Sequence, residues 1–212
     1  MKRKNNHFPR LSEEKINKVT PELSNSKVNM PKIKKPLTIL PTNQLLNQIW
    51  EYLLTRPNKK GETKKAEHEC LFLLCWKAGL RISEAISFDL NLEHGEAEYK
   101  GLYLLRGKRQ KERWVYISPE ITKELRKRKW QPNNANRFTF FKFLKQIKEE
   151  MKLPVKTELA PHTLRRCFAT RQAVNGMPLP VLQKVLGHAS LSSTSVYVRA
   201  GDLDNLVRFK PS

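Results

Sequence analysis

PHTLRRCFATRQAVNGMPLPVLQKVLGHASLSSTSVYVRA, residues 161–200, is the stretch of the sequence that says most about the fold. Its pattern predicts helices over about residues 161–175 and 178–186, separated at Gly176, and a last helix that holds residues 193–198. His162 and Arg165 are three positions apart, so a helix would present both on one face. A guanidinium binds phosphate oxygens bidentately and a neighbouring imidazole can transfer a proton. The pair suits phosphoryl transfer, although such pairs also occur on many surface helices.

Upstream of this stretch the periodicity is mainly helical. Apolar residues at helical spacing predict a helix over about residues 41–56, a buried helix over 63–78 and a short helix over 80–88. The β-prone runs GLYLL and WVYI then flank the basic segment RGKRQKER, which predicts a β-hairpin with a cationic tip. Helical spacing resumes after Pro119 and continues in FTFFKFLKQIKEEM. The predicted fold class is mainly α (α+β), a helical domain with a small antiparallel β-sheet or hairpin.

The first 38 residues differ from the rest in composition. They mix Lys, Asn and Ser with four prolines and have no apolar periodicity, so they cannot bury enough surface to offset their chain entropy. We expect a disordered basic arm over residues 1–38 and one domain over residues 39–212. The arm could follow a DNA backbone, or it could be an ordinary disordered terminus.

The net charge is strongly positive. The chain has 41 Lys and Arg against 20 Asp and Glu, a formal charge of +21, of which residues 1–40 carry +7 and the remainder +14. Because solubility requires only a modest net charge, this excess predicts a polyanionic partner. Nucleic acid is favoured over an anionic membrane surface.

Cysteine content and hydropathy indicate the cellular compartment in which the protein works. The three cysteines, Cys70, Cys75 and Cys167, are an odd number without close spacing, which fits neither a disulfide framework nor a zinc site. No apolar run approaches the ~20 residues that span a bilayer, and the basic N-terminus lacks the apolar stretch of a secretory signal. We therefore expect a cytoplasmic, nucleoid-associated protein with no membrane partner.

Three separated motifs resemble the tyrosine recombinases, the family that includes the phage integrases. HTLRRCFAT, NGMPL and LGHASLSSTSVY are similar to that family's C-terminal motif, which contains HxLRHxFAT and then LGH with a tyrosine downstream. AGLRISEAISF resembles its first arginine motif, and GKRQKERWVYIS resembles its segment GKGxKxRxVPL. The order and spacing agree over about residues 40–200, so the resemblance covers the predicted domain.

The resemblance implies a catalytic set and a reaction. The matching catalytic positions are Arg81, Lys108, His162, Arg165, His188 and Tyr197, with Glu84 as the acidic residue that supports Arg81. Tyr197 would attack the phosphodiester and become joined to the 3′ phosphate. The arginines and His188 would bind the phosphate oxygens, His162 would help to remove the tyrosine proton, and Lys108 would protonate the leaving 5′ oxygen. Lys108 shares its turn with other cations, so another of them could take its place.

The same resemblance implies partners, and the sequence differs from the family's pattern at a few positions. Double-stranded DNA would be the partner, bound by four protomers on two sites, with no cofactor and no metal ion. Further DNA contacts are expected from the remaining basic residues near these motifs, Arg106, Arg109, Lys111, Arg113 and Arg166. Arg166 stands where His is common, and Val198 and Arg199 replace the usual Thr and His. The N-terminal core-binding domain of most members is expected to be absent, as in small DNA invertases.

Two other functions fit the same motifs. A type IB topoisomerase uses the same phosphotyrosine chemistry but relaxes supercoils as a monomer. A DNA-binding accessory protein could keep the fold without recombining DNA. The complete set of six residues favours an integrase- or invertase-type recombinase over both.

Overall fold

The computed structural model describes residues 39–58, 64–106 and 112–188, all of which belong to one compact unit. Within them lie seven α-helices and one antiparallel pair of strands. In chain order these are α1 (Asn43–Thr55), α2 (Lys65–Trp76), α3 (Ile82–Ile86), β1 (Leu102–Arg106), β2 (Glu112–Tyr116), α4 (Pro119–Lys127), α5 (Arg137–Glu150), α6 (Pro161–Val174) and α7 (Leu179–Leu186). Short 3-10 turns at Leu90–Leu92 and Ala97–Tyr99 connect α3 to β1. The predicted fold class is confirmed.

Three predicted segments lie outside the described residues: the basic arm over residues 1–38, the centre of the cationic hairpin tip at residues 107–111, and the last helix over residues 193–198. Among the described helices, none is long and apolar enough to cross a bilayer.

The helices begin where capping chemistry and proline allow. Thr42 accepts a hydrogen bond at Oγ1 from the Leu45 N–H at 3.1 Å and so starts α1. Asn136 does the same for α5 through the Phe138 N–H at 2.8 Å. Pro119 and Pro161 occupy the first turns of α4 and α6, where a missing N–H costs nothing.

Helix α2 forms the centre of the core. Residues 68–76 are buried without interruption, and the helix packs against α3, α4, α5 and α6. Its two buried polar residues each have a hydrogen-bond partner on another element: His68 Nε2 lies 3.1 Å from Thr139 Oγ1, and Glu69 accepts a hydrogen bond from Arg128 Nε at 2.7 Å. The nearly continuous apolar sequence of α2 is therefore explained by burial on every side.

Helices α2 and α3 are shorter than the sequence pattern suggested. Gly79 adopts φ +68° directly after the turn that ends α2, a conformation that glycine tolerates and other residues rarely adopt. Arg81 is still extended, with ψ 149°, so α3 begins only at Ile82. The break between the helices is therefore wider than one glycine.

The two-stranded sheet has one face that packs on the core and one face that is exposed. Leu102 pairs with Tyr116 and Leu105 pairs with Arg113. Val115 is 2% exposed, whereas Trp114 and Tyr116 are 45% and 59% exposed. Because side chains alternate along a strand, Arg113 shares the inner face with Val115.

Candidate active site

Three chain segments converge at one end of the helical core. The N-terminal end of α3 carries Arg81, the first turns of α6 carry His162 and Arg165, and the turn that ends α7 carries His188. Lys108 and Tyr197, the other two predicted catalytic residues, lie outside the described residues.

Arg81 is held by both its backbone and its side chain. Its N–H donates to Glu84 Oε2 at 2.8 Å, and its Nη1 donates to Glu84 Oε1 at 2.8 Å. This arrangement caps α3, because Glu84 satisfies an N–H that the helix itself cannot. Nη2 donates to the Gly187 carbonyl at 2.8 Å. The Arg81 side chain is 41% exposed, so its guanidinium is accessible to a ligand.

Glu84 binds more than one arginine. The residue is only 4% exposed, and its Oε2 also accepts a hydrogen bond from Arg113 Nη2 at 2.8 Å. Arg165 Nη1 lies 3.6 Å from the same oxygen. Three positive charges therefore surround one negative charge, and the group of four side chains keeps an excess of two positive charges.

Arg165 is buried and fixed by main-chain carbonyls. The residue is 2% exposed, and its Nη1 donates to the Gly79 carbonyl at 2.8 Å. Its Nη2 donates to the Leu186 carbonyl. The side chain thus joins the turn after α2 to the end of α7, and its position depends on both.

Gly187 allows the chain to leave α7 next to the arginines. It adopts φ +60°, and a Cβ atom at this position would lie 2.7 Å from Arg113 Nε and 3.3 Å from Arg81 Nη1. Only glycine fits both the backbone conformation and the space. His188 follows directly, and its main chain is fixed by Gln183, whose carbonyl accepts from the His188 N–H at 3.1 Å and whose Nε2 donates to the His188 carbonyl at 3.1 Å.

The two histidines lie in a cationic environment. Burial, together with the neighbouring Arg165, Arg81 and Arg113, lowers the pKa of His188 to about 4. Burial also lowers the pKa of His162, with Arg166 and Arg165 adding to the effect and Glu158 opposing it. Both imidazoles are therefore neutral near pH 7 and each retains a nitrogen that can accept a proton.

Comparison with known proteins assigns the family. The sequence model described as "Phage integrase family" matches residues 43–203, which is well over half of the chain. The chain belongs to the phage integrase family. Tyrosine recombinase XerC of Chlamydia caviae is 29% identical over 193 residues, a match that covers 80% of this chain and 57% of that protein. Tyrosine recombinase XerA of Pyrococcus furiosus is 28% identical over 186 residues, covering 80% of this chain and 60% of the relative. The chain therefore spans less than two thirds of the length of either relative.

Solved structures agree on the fold of this integrase-family chain. The XerH site-specific recombinase in its post-cleavage complex with a palindromic difH substrate aligns with a TM-score of 0.64 at 20% identity, covering 82% of this chain and 53% of that one. The catalytic domain of bacteriophage HP1 integrase aligns with a TM-score of 0.53 at 22% identity, covering 78% of this chain and 92% of the other. Both alignments therefore show the same fold as this chain.

The further basic residues that the sequence predicted as DNA contacts differ in their placement. Arg109 and Lys111 lie outside the described residues, and Arg106 ends β1 opposite Glu112. Arg166 has a side chain that is 33% exposed and lies 3.7 Å from Glu158. Arg113 is instead turned inward onto Glu84, with its side chain 13% exposed.

The inward position of Arg113 was missed at the sequence level. The signal that could have found it is the alternation of β2, in which Arg113 and Val115 occupy one face and Trp114 and Tyr116 the other. The contact of Gly187 with two arginines carries no such signal, because it joins segments far apart in sequence.

The described part of the site is suited to anions. Among residues 39–58, 64–106 and 112–188, no group of three His, Cys, Asp or Glu side chains could hold a metal ion. The charged groups that meet here are guanidinium groups, which bind the oxygens of a phosphate with a matching geometry.

Proposed function

We propose that the chain is a site-specific DNA recombinase of the integrase or invertase type, which cleaves and rejoins DNA through a 3′-phosphotyrosine at Tyr197. The observation that carries the proposal is the cluster of three arginines on Glu84, with its excess of two positive charges, beside two histidines of lowered pKa. A phosphodiester is a single anion, so it would enter a site that is already charged to receive it. The net charge of +21 supports DNA as the polyanion.

The arginines would stabilise the charge that develops on the non-bridging oxygens during attack. Arg81 is the more accessible of the two predicted clamps, whereas Arg165 is anchored on the Gly79 and Leu186 carbonyls. Such fixed donors require no reorganisation at the moment of reaction, and removal of one costs about 10²- to 10³-fold in rate in comparable sites. Glu84 would hold the clamp in place and would not react itself.

The histidines would supply hydrogen bonding and proton transfer. A neutral His162 can accept the proton of the attacking tyrosine hydroxyl, and His188 can donate a hydrogen bond to the phosphate from one ring nitrogen. Lys108 would protonate the leaving 5′ oxygen. The roles of Lys108 and Tyr197 rest on the motif resemblance, since both lie outside the described residues. Neither ATP nor a metal ion is required, because the phosphotyrosine conserves the bond energy and the cations neutralise the charge.

We also infer the partner and the assembly from this function. Double-stranded DNA would be bound by four chains on two sites, because recombination exchanges strands between two duplexes and each duplex is cut twice. A chain of this kind would act on the chromosome in the cytoplasm. Sedimentation of Tyr197→Phe with duplex DNA should reveal complexes of four chains and two duplexes, and complexes of one chain alone would contradict the assembly.

A covalent trapping experiment tests the proposed function. A library of random duplexes, each with one nick, is incubated with the protein, and adducts that survive SDS and disappear with protease are recovered and sequenced. When cleavage occurs next to the nick, the short strand that carries the new 5′ hydroxyl dissociates. Religation then fails and the adduct accumulates. We expect adducts with enriched sequences from the unmodified protein and none from Tyr197→Phe. Tyr116→Phe, at a tyrosine that is 59% exposed on the sheet, is the matched control and should trap normally.

The same experiment separates the alternatives. Equal trapping by Tyr197→Phe would show that the nucleophile is wrong. Duplex binding without any adduct would indicate a DNA-binding accessory protein. Adducts without sequence enrichment, together with relaxation of a supercoiled plasmid, would indicate a topoisomerase.

A further inference from the structure

The third arginine on Glu84, Arg113, comes from the hairpin and not from the helical motifs. Its Nη2 donates to Glu84 Oε2 at 2.8 Å, and its side chain is 13% exposed. Nη1 is buried and has no hydrogen-bond partner among the described residues. Arg113 therefore faces the site from the inner side of β2 and does not present its charge on the outer surface.

We propose that Arg113 is a positioning residue for the proposed cleavage site, which fixes Glu84 and the Gly187 turn and thereby aligns Arg81 and His188. The proposal rests on the proposed function and replaces the expectation that Arg113 contacts the DNA backbone.

Arg81 and Arg113 share the same two neighbours. Arg81 binds Glu84 Oε1 and the Gly187 carbonyl. Arg113 binds Glu84 Oε2, and its Nε and Cδ lie 2.7 Å and 2.9 Å from where a Cβ of Gly187 would be. Arg113 thus lies against both anchors of Arg81. Without it, the carboxylate and the turn would each lose a packing partner.

Burial of the Arg113 guanidinium has an energetic cost. A buried arginine loses hydration, and burial is the main cause that lowers the pKa of Arg113. Glu84 compensates only part of this cost, since its two oxygens are also within reach of Arg81 and Arg165. Apolar residues of similar volume often replace buried ion pairs without loss of stability. Stability alone therefore does not explain a guanidinium here, whereas alignment of the neighbouring arginine and histidine does.

Arg113 also connects the hairpin to the site. Arg113 is the second residue of β2, immediately after the basic tip that contains Lys108 in the sequence. Its bond to Glu84 ties the start of this strand to α3. One side chain therefore fixes the strand that leaves the tip to the helix start that carries Arg81.

The test compares Arg113→Met with Arg126→Met, a matched control at a side chain that is 62% exposed on α4. DNA affinity is measured as a function of salt, and adduct formation is measured as a rate at saturating nicked duplex. We expect Arg113→Met to form adduct roughly 10²-fold more slowly, as misplacement of a reacting group by about 1 Å does. Its affinity and salt slope should equal those of the unmodified protein, and Arg126→Met should change neither rate nor affinity.

A backbone contact would give the opposite result. If Arg113→Met lowers the salt slope by about one and weakens binding, while the rate at saturating DNA is unchanged, the side chain binds phosphate and the proposal is wrong. An unchanged rate and affinity would also overturn it. Arg113→Lys keeps the charge but loses the planar fork, so we expect a slow rate with normal affinity. This variant decides the question if the methionine variant does not fold.

A measurement without DNA separates this proposal from the proposed function. The His188 ring resonance, assigned with His188→Gln, is titrated by NMR. The cations that face this ring are Arg165, Arg81 and Arg113, with His162 nearby. Arg113→Met should raise the pKa of His188, whereas Arg113→Lys and Arg126→Met should leave it low. If the unmodified protein never forms an adduct but the pKa shifts as expected, the function fails and the placement stands. If adducts form and the pKa does not move, the placement is wrong.

Discussion

At the level of single residues, the candidate site depends on one carboxylate that is shared unequally. Arg81 and Arg113 bind Glu84 at 2.8 Å, whereas Arg165 remains at 3.6 Å and takes its main hydrogen bonds from carbonyls. Two carboxylate oxygens cannot satisfy three guanidinium groups, and Arg113 Nη1 has no hydrogen-bond partner among the described residues. The carbonyls of Gly79, Leu186 and Gly187 provide anchors for Arg165 and Arg81. Main-chain turns therefore determine the geometry of the site as much as side chains do.

Glu84→Gln tests this sharing. The amide keeps the shape but removes the negative charge, so three guanidinium groups repel one another. Removal of one partner of a buried ion pair costs about 3–5 kcal/mol, and we expect a loss of this size in the free energy of unfolding by urea. Glu149→Gln is the control, because that side chain is 66% exposed and lies 3.9 Å from Lys145. An equal, small effect of both substitutions would contradict the role of Glu84.

His188 should make stability depend on pH. An unfolded histidine takes up its proton near pH 6.5, but burial and the arginines lower the pKa of folded His188 to about 4. Between these values the unfolded chain binds more protons, so the free energy of unfolding falls as the pH is lowered from about 6.5 to about 4. The contribution is complete above pH 6.5. Urea unfolding across this range should give a shallower pH dependence for His188→Gln than for the unmodified protein, and identical curves would refute the assignment.

Gly187→Ala tests the turn itself. The added Cβ would combine left-handed backbone strain with contacts of 2.7 Å to Arg113 Nε and 3.3 Å to Arg81 Nη1. Gly176→Ala is a matched control, because Gly176 has φ +87° but nothing lies within 4 Å of its Cβ position. We expect the thermal unfolding midpoint to be lower in both variants, with the larger decrease in Gly187→Ala. Adduct formation should be slower only in Gly187→Ala. Normal adduct formation by Gly187→Ala would mean that the turn does not align the site.

At the level of helices and strands, the sequence predicted what short-range chemistry controls. Thr42, Pro119 and Pro161 mark helix starts, and apolar spacing located all the described helices. The sequence pattern overestimated the length of α3. The extended backbone of Arg81 is set by contacts with Glu84 and with Gly187, and Gly187 is distant in sequence. The order of the motifs predicted that Arg81, Arg165 and the two histidines belong to one site. It did not reveal that Arg113 points inward, because Arg113 is the last of several cations in RGKRQKER and the β-strand alternation becomes visible only in the residues that follow.

Helix α7 positions His188 through a small apolar cluster, which offers a test at this scale. Leu182 and Leu186 are fully buried against Phe168 and Ala169 of α6. Leu182→Ala should lower the free energy of unfolding by about 2–5 kcal/mol and slow adduct formation, because the end of α7 loses its support. Val181→Ala, on the same helix at a residue that is 46% exposed, should change stability by less than about 0.5 kcal/mol. If Leu182→Ala cleaves normally, the site does not depend on this packing.

At the level of the whole molecule, most of the net positive charge is carried by residues outside the group formed by Glu84 and its three arginines. The excess of two charges around Glu84 is a small part of the net +21, and residues 1–40 alone contribute +7. Charge at the site governs a single phosphate, whereas charge elsewhere governs how strongly the chain is held on a long polyanion. Affinity and chemistry should therefore be separable by substitutions far from the site.

Substitutions in the predicted basic arm should change DNA affinity without changing the rate of adduct formation. Substitution of three lysines of this predicted arm by Gln, at Lys32, Lys34 and Lys35, removes three positive charges at positions that the motif resemblance does not include in the catalytic set. If the arm contacts DNA, the dissociation constant rises, the salt slope falls by up to about 0.9 per lost contact, and the rate of adduct formation at saturating duplex stays the same. A control triple substitution of exposed lysines in the body, at Lys123, Lys127 and Lys145, lowers the net charge equally. Equal losses of affinity would mean that net charge alone matters. An unchanged salt slope for the arm variant would identify residues 1–38 as a terminus without a DNA contact.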